Sequence, residues 1–314
     1  MSTQSHWEGH HGPVLERQGE YTVIACQACG FAHIIPIPDA ESQQRMYREK
    51  YYTEMIPDYI ERHTRDQPWW DHVHASRLKT LESLLPVGAR RILDIGSGPG
   101  GFLRAARDRG WEGLGFEPSE QACRHCVGTL GLNVRQEFFT RETDLGEGAF
   151  DAVHMSDVLE HIRDPLAMLR AVRRVLRPGG ACCVAVPNDF NPIQTALRRD
   201  RGFSPWWVST PDHINYFTFD SLQRLLERGG FEVRQREASF PLDVFLLLGI
   251  DYTDDDVLGR QCHGWRMRLE RTLYDMGLGE ALTDVYRALA KHDLGRHAVL
   301  YATAREGAAS PEER

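Results

Sequence analysis

Three groups of residues in this 314-residue chain have the types and spacing to do chemistry. The first lies in Ile92–Phe102, ILDIGSGPGGF, where Gly96, Gly98 and Gly101 have the spacing G-x-G-x-x-G. Such a loop between a strand and a helix brings a ligand close to the backbone, and a dinucleotide pyrophosphate is its common occupant. Asp94, two positions before the first glycine, points to another ligand. A carboxylate at the mouth of the loop repels phosphates and favours a cationic end. Glu117 ends the next apolar run, where a carboxylate can take both ribose hydroxyls.

The second group lies further along. Asp157, Glu160 and His161 stand at i, i+3 and i+4, which predicts one shared helix face. They could hold a divalent metal, or His161 could act as a base, or they could be helix-start acids beside a hydrogen-bonded histidine. His213, Asn215 and Tyr216, in STPDHINYFTFDSL, fall in a polar loop before an amphipathic stretch. His213 is the first choice for a general base, because an unperturbed imidazole titrates near neutrality. The competing reading is that HINYF only packs the loop. Trp206 and Trp207 could stack on an acceptor, although packing is the commoner role.

The third group is CQACGF. Two thiolates at Cys26 and Cys29 can share a tetrahedral metal, with the glycine allowing the turn behind them. His6 and His10, at i and i+4, could chelate from one helical turn and complete a Cys₂His₂ zinc set, with His11 and His33 nearby. A redox C-x-x-C usually opens a helix, and CGFAHIIPIP does not read as one. Cys123 with Cys126, Cys182 with Cys183, and Cys262 beside His263 are expected to serve packing rather than chemistry.

The elements that must position these residues follow from apolar periodicity. Residues 1–45 stand apart in composition, rich in His, Gly and Pro, as a candidate zinc-binding region. Residues 46–87 read as helices loaded with aromatics, with Tyr51, Tyr52 and Tyr59 as candidates to cover a ligand. Residues 88–240 alternate short apolar runs with amphipathic stretches: RRILDIG, EGLGFEPS, NVRQEFF, FDAVHMSD and ACCVAVPN as strands, with helices between. That is the pattern of an α/β fold with a doubly wound, mostly parallel sheet. Residues 241–314 read as helices with a polar, disordered tail.

With LDIGSGPGGF, FEPS, FDAVHMSDVLEHIRDP and RVLRPGG in this order, residues 88–240 resemble the class I S-adenosylmethionine-dependent methyltransferases. That resemblance implies a Rossmann-like fold and S-adenosylmethionine as cofactor. It implies that Gly96, Ser97, Gly98 and Gly100 line the methionine and ribose part, with Asp94 acting on that end. It further implies Glu117 on the ribose hydroxyls, Pro118, Ser119, Glu137 and Phe138 about the adenine, and Met155 and Ser156 closing the pocket. Asp157, His161 and His213 are then the candidate catalytic residues. The N-terminal segment is similar to part of the zinc region of sugar C-methyltransferases from antibiotic pathways. It departs from them by lacking the first C-x-x-C pair, and the long C-terminal domain of those enzymes is absent.

Composition limits the partners. The net charge of −8 disfavours nucleic acid, which needs a basic surface. No run of about eighteen apolar residues suggests a membrane span. The N-terminus does not read as a signal peptide, so a cytoplasmic protein with reduced thiols is expected. The expected reaction is methylation of a small-molecule acceptor, at oxygen first and at carbon second. An NAD-dependent oxidoreductase and a non-catalytic cofactor-binding module are the alternatives. A homodimer is the assembly considered.

Overall fold

The computed structural model describes residues 4–39, 41 and 58–305. Tyr51 and Tyr52 lie outside the described residues. The N-terminal segment is a meander of strands: β1 (Gln4–Trp7), β2 (His10–Gln18), β3 (Tyr21–Ala25) and β4 (Ala32–Ile35). Glu8 and Gly9, at φ 42° and 86°, make the two-residue turn between β1 and β2. Positive φ at both positions matches the twist of a tight hairpin. His6 therefore pairs across the ladder with His11, and His6 and His10 stand on two strands, not on one helical turn.

Two helices follow, α1 (Tyr59–Arg65) and α2 (Gln67–Ser83). The main domain then alternates β5 (Arg91–Ile95), α3 (Gly101–Asp108), β6 (Glu112–Phe116), α4 (Glu120–Arg124) and β7 (Val134–Arg135). It continues with β8 (Phe150–Ser156), α5 (Pro165–Val175), β9 (Leu176–Pro187), α6 (Pro192–Arg201), β10 (Asn215–Tyr216), α7 (Phe219–Arg228) and β11 (Phe231–Ala238). The last elements are α8 (Val244–Leu247), α9 (Asp256–Asp275), α10 (Gly279–Ala290) and β12 (His297–Ala304).

The large sheet has the order β11-β12-β9-β8-β5-β6-β7. Its pairs from β9 to β7 are parallel, and β12 lies antiparallel between β11 and β9. The doubly wound α/β fold is as expected from the sequence. Three details differ. The segment after 241 contributes a strand as well as helices: HAVLYATA inserts into the sheet core, with Leu300 and Tyr301 fully buried. The run NVRQEFF supplies only the short β7. The helix expected from Asp157 starts at Pro165, where Asp164 caps it by accepting from Ala167 N–H at 2.9 Å. Proline at the first helical position with an aspartate cap is a strong start signal, and it outweighs the earlier periodicity.

The core sits between the large sheet and its helices, around Leu93, Val153, Met155, Val184 and Leu300. Each such side chain contributes about 1.5–3 kcal/mol by leaving water. The small sheet joins this body through β10, which pairs antiparallel with β4. Trp207 is buried with Val23, Ile34 and Tyr216 in the small sheet's own core, with Trp206 packed against it. No helix of the described residues is long and apolar enough to cross a membrane.

Candidate active site

β6 and β7 lie on one side of β5, and β8 and β9 lie on the other. At such a switch point the loops diverge and leave a crevice beyond the strand ends. A cavity of about 430 Å³ fills it. Asp94, Gly96, Ser97, Gly98, Glu117, Pro118, Glu137, Phe138, Ser156, Asp157 and His161 all line this cavity. Gly100, Ser119, Met155 and His213 do not line it, for reasons visible in the packing. Gly100 begins α3 in the left-handed region at φ 80°, and a Cβ there would meet Leu132 and Cys126 at 2.7 and 2.8 Å. Ser119 turns its hydroxyl to cap α4. Met155 points into the sheet core.

Two buried carboxylates flank the glycine loop. Asp94 Oδ1 accepts from His154 Nδ1–H at 2.7 Å, and Arg77 Nη1 donates to His154 Nε2 at 3.0 Å. Phe102 stacks on the His154 ring at 3.6 Å. Burial holds His154 below the ordinary imidazole range despite Asp94. Glu117 accepts from Gly98 N–H and Ser119 N–H, each at 2.8 Å. Burial pushes its carboxyl up to about 7.

The far wall comes from α1 and α2 and was not legible in the sequence as a site. His63, Trp70 and His74 stack face to face, with His63 and Trp70 centroids 5.0 Å apart and Trp70 and His74 5.3 Å apart. Gly101 permits this approach, since a Cβ there would lie 2.5 Å from His63. Burial pushes His63 down to about 4 and His74 well below its usual range, so both rings are neutral. Their i, i+7, i+11 spacing is a signal that could have found them. Tyr59, the described member of the expected tyrosines, lines the same cavity.

At the end of β8, Asp157 takes a left-handed conformation at φ 56°. Its carboxylate accepts from Ser156 Oγ–H at 2.9 Å and from His297 Nε2–H at 3.1 Å. Burial opposes its charge, but His297, Ser156 and Arg77 outweigh burial and hold it below the ordinary carboxylate range. The left-handed turn separates Asp157 from Glu160 and His161, which lie in a 3₁₀ turn, Leu159–His161. The three do not share a helix face.

A different set comes together: Glu160, His161 and His213 bring their ligand atoms within 4.8 Å of one another. His161 Nδ1–H donates to the Asp212 carbonyl at 2.9 Å. Glu160 is 1 % exposed, and neither of its carboxyl oxygens has a hydrogen-bond partner. Burial raises its carboxyl well above the usual range. The His213 ring stands 5.0 Å behind that of His161, with Nδ1 buried and unpartnered, and burial pushes it down to about 3. The pairing of β10 with β4 draws the His213 loop towards the small sheet, one layer back from the cavity.

The cysteine knuckle is formed. Cys26, Cys29, His10 and His33 have ligand atoms within 4.8 Å of one another. His33 Nδ1–H donates to the Ile34 carbonyl at 2.9 Å, which leaves the Nε2 lone pair facing His10 at 3.1 Å. Such an outer hydrogen bond is what fixes the tautomer of a metal-binding histidine. His33 is the fourth member of this set, and the side chain of His6, the expected member, lies outside the described residues. Burial and the neighbouring Cys26 push the Cys29 thiol up to about 12. All seven cysteines are free; Cys182 and Cys183 are buried in β9, and Cys126 packs behind the glycine loop, its thiol donating to the Gly98 carbonyl at 3.2 Å. His263 accepts from Arg266 at 2.9 Å, away from the main cavity.

A methyltransferase domain family matches residues 62–236, more than half of the chain. A ubiquinone biosynthesis O-methyltransferase of Dinoroseobacter shibae is 32 % identical over 160 residues, covering 49 % of this chain and 64 % of that protein. One of Aeromonas salmonicida is 28 % identical over 187 residues, covering 53 % of this chain and 77 % of that protein. The chain thus spans less than two thirds of the length of the first of these relatives. Among solved structures, one chain of the complex of the Haloferax volcanii Trm112 methyltransferase activator superimposes with a TM-score of 0.53 and 17 % identity, over 84 % of this chain and 99 % of that chain. That likeness is one of fold.

Proposed function

This chain belongs to the methyltransferase domain family, and on that premise we propose that it transfers the methyl group of S-adenosylmethionine to a hydroxyl of a small molecule. The observation that carries this reading is the pair of buried carboxylates, Asp94 and Glu117, on either side of the Gly96–Gly98 loop. A pyrophosphate at the loop would face the Asp94 charge, while Glu117 suits the ribose of either ligand. A ligand with a ribose and a cationic end gains from both. The O-methyltransferase names of the relatives favour oxygen as acceptor atom over carbon.

When bound, S-adenosylmethionine supplies a methyl carbon made electrophilic by its sulfonium. Glu117, oriented by the Gly98 and Ser119 amides, holds the ribose hydroxyls. Asp94, fixed by His154, takes the amino end directly or through water. Pro118, Glu137 and Phe138 flank the adenine, while the His63–Trp70–His74 stack excludes water from the opposite side. Asp157 and His161, at the β8 end, face the acceptor, and His213 acts through His161.

Two metal assignments accompany this reading. Cys26, Cys29, His10 and His33 fit a structural zinc ion, since two thiols and two imidazoles are a tetrahedral zinc donor set. Glu160, His161 and His213 fit a divalent cation beside the acceptor position, a second reading favoured by the unbonded Glu160 oxygens. The test is methyl transfer from S-[methyl-³H]adenosylmethionine to a panel of phenols, sugars and alcohols. Tritium in an ether product supports the proposal. Tritium in a carbon-methylated product selects the carbon alternative, and no transfer to any acceptor by protein that binds the donor favours a non-catalytic module.

A further inference from the structure

A second cavity, of about 100 Å³, lies on the other side of Asp157. Trp70, Arg77 and Asp157 line both cavities, so the two meet at these side chains. The smaller chamber is walled by Trp69 of α2, Tyr274 of α9 and Tyr286 of α10, with Glu237 of β11 and Val299 of β12 beneath. All of these except Trp69 lie beyond residue 236, where the family match ends.

The carboxylates in the chamber are already partnered, and Arg266 keeps one unpartnered nitrogen, Nε. Glu270 accepts from Trp69 Nε1–H and Tyr286 O–H, and Arg266 lies 4.5 Å over the Trp69 ring. Glu237 accepts from Tyr301 O–H at 3.2 Å and pairs with Arg287 at 3.4 Å. An anionic ligand would face these carboxylates, and a cationic one would compete with arginines already in place. What the walls leave to a ligand is ring surface. Planar rings gain from stacking and edge contacts with such walls.

At the junction, Asp157 is held in its left-handed conformation by a fixed partner. Ser239 O–H donates to His297 Nδ1 at 3.1 Å, and the His297 backbone N–H donates back to Ser239 Oγ at 3.0 Å. His297 Nε2–H then points at Asp157, 3.1 Å away. A non-glycine residue at positive φ is strained, and such strain concentrates where a side chain must be aimed.

We infer that this chamber seats the ring of a neutral, hydroxylated aromatic acceptor, with its hydroxyl at Asp157 and the methyl donor in the larger cavity beyond. The inference rests on the methyl-transfer reading above. The hydroxyl donates a hydrogen bond to the Asp157 carboxylate, which aims its oxygen, and its proton leaves to solvent at the junction of the two cavities. An oxygen lone pair forms the C–O bond to the methyl carbon as the C–S bond breaks, its electron pair going to sulfur. The products are an aryl methyl ether, S-adenosylhomocysteine and a proton released to solvent. Arg77, at the same junction, stabilises the charge that develops on oxygen. Asp157 is the catalytic residue of this step, and His297 is a positioning residue.

The test uses the full chain, catechol as probe, S-[methyl-³H]adenosylmethionine as donor, and calorimetric binding of S-adenosylhomocysteine as control. Wild type should methylate catechol. Val299→Phe, which places a ring in the chamber, should lower kcat/KM for catechol about tenfold or more while leaving S-adenosylhomocysteine binding within about twofold. Tyr274→Ala should raise KM for catechol more than it lowers kcat, and it decides the matter if Val299→Phe loses S-adenosylhomocysteine binding. His297→Asn should lower kcat with KM unchanged. The inference is overturned if the filled or truncated chamber methylates catechol as wild type does, or if wild type binds S-adenosylhomocysteine yet leaves catechol unmethylated. Absence of S-adenosylhomocysteine binding by wild type would count against the methyl-transfer reading itself.

Discussion

His154 Nδ1–H donates to Asp94 Oδ1 at 2.7 Å, and both side chains are almost fully buried. Arg77 closes the line from the other side of the imidazole. Asp94 is therefore a fixed carboxylate at the floor of the cavity. Such preorganisation lets it meet a cationic ligand without first ordering a side chain.

Replacing Asp94 by Asn keeps its shape and removes its charge. Asp94→Asn is expected to weaken S-adenosylmethionine about 10- to 100-fold, or roughly 1.4–2.8 kcal/mol, measured by calorimetry. Unchanged affinity would detach Asp94 from the cationic end of the ligand.

Glu117 makes a prediction about pH. Its carboxyl is pushed up to about 7 by burial, from an ordinary value of 4.5. Between these values the folded protein holds a proton that the unfolded chain has released, so this group's contribution to stability falls as pH rises across that window. Ribose hydroxyls donate to the ionised form, so donor binding expels the proton near pH 6. Affinity for S-adenosylmethionine should rise as pH rises towards 7, with proton release seen as buffer-dependent heats. Glu117→Gln should abolish the release and the Glu117 share of the stability slope.

The small sheet should bind one zinc ion per chain. The Cys29 thiol, pushed up to about 12 without metal, is protonated at neutral pH. Zinc must displace that proton, so affinity should rise with pH. Zinc content by mass spectrometry should vanish in Cys29→Ser and fall in His33→Ala, while His6→Ala keeps it. Loss in His6→Ala with retention in His33→Ala would restore the ligand set read from spacing alone.

Glu160 is buried with both oxygens unbonded, and its carboxyl lies well above the usual range. The native state keeps this proton as pH rises above the unfolded value, so stability falls with pH until it is lost. Glu160→Gln should raise the melting temperature of metal-free protein near pH 8 by about 1.5 °C for each kcal/mol recovered. Manganese should raise the melting temperature of wild type and not of Glu160→Gln. Equal shifts in both would remove the cation from this cluster.

The glycine loop, Asp94 and Glu117 were legible because they sit at strand ends, where local sequence alone fixes position. What escaped was set by distant pairing. His33 reaches His10 only because β3 and β4 fold back on β2. His213 is drawn away from the cavity by a two-residue ladder with β4. The strand His297–Ala304 begins 56 residues past residue 241, from which the sequence reads as helices, yet it brings His297 to Asp157 through pairing with β9. The proline at 165 displaced the helix that would have aligned Asp157 with Glu160.

The most direct measurement is calorimetric titration of the full chain with S-adenosylmethionine, S-adenosylhomocysteine and NAD. Micromolar affinity for the first two, about −8 kcal/mol, with no heat from NAD is the expected result. Binding of NAD without either S-adenosyl ligand would contradict the role given to Asp94 and the methyl-transfer assignment with it.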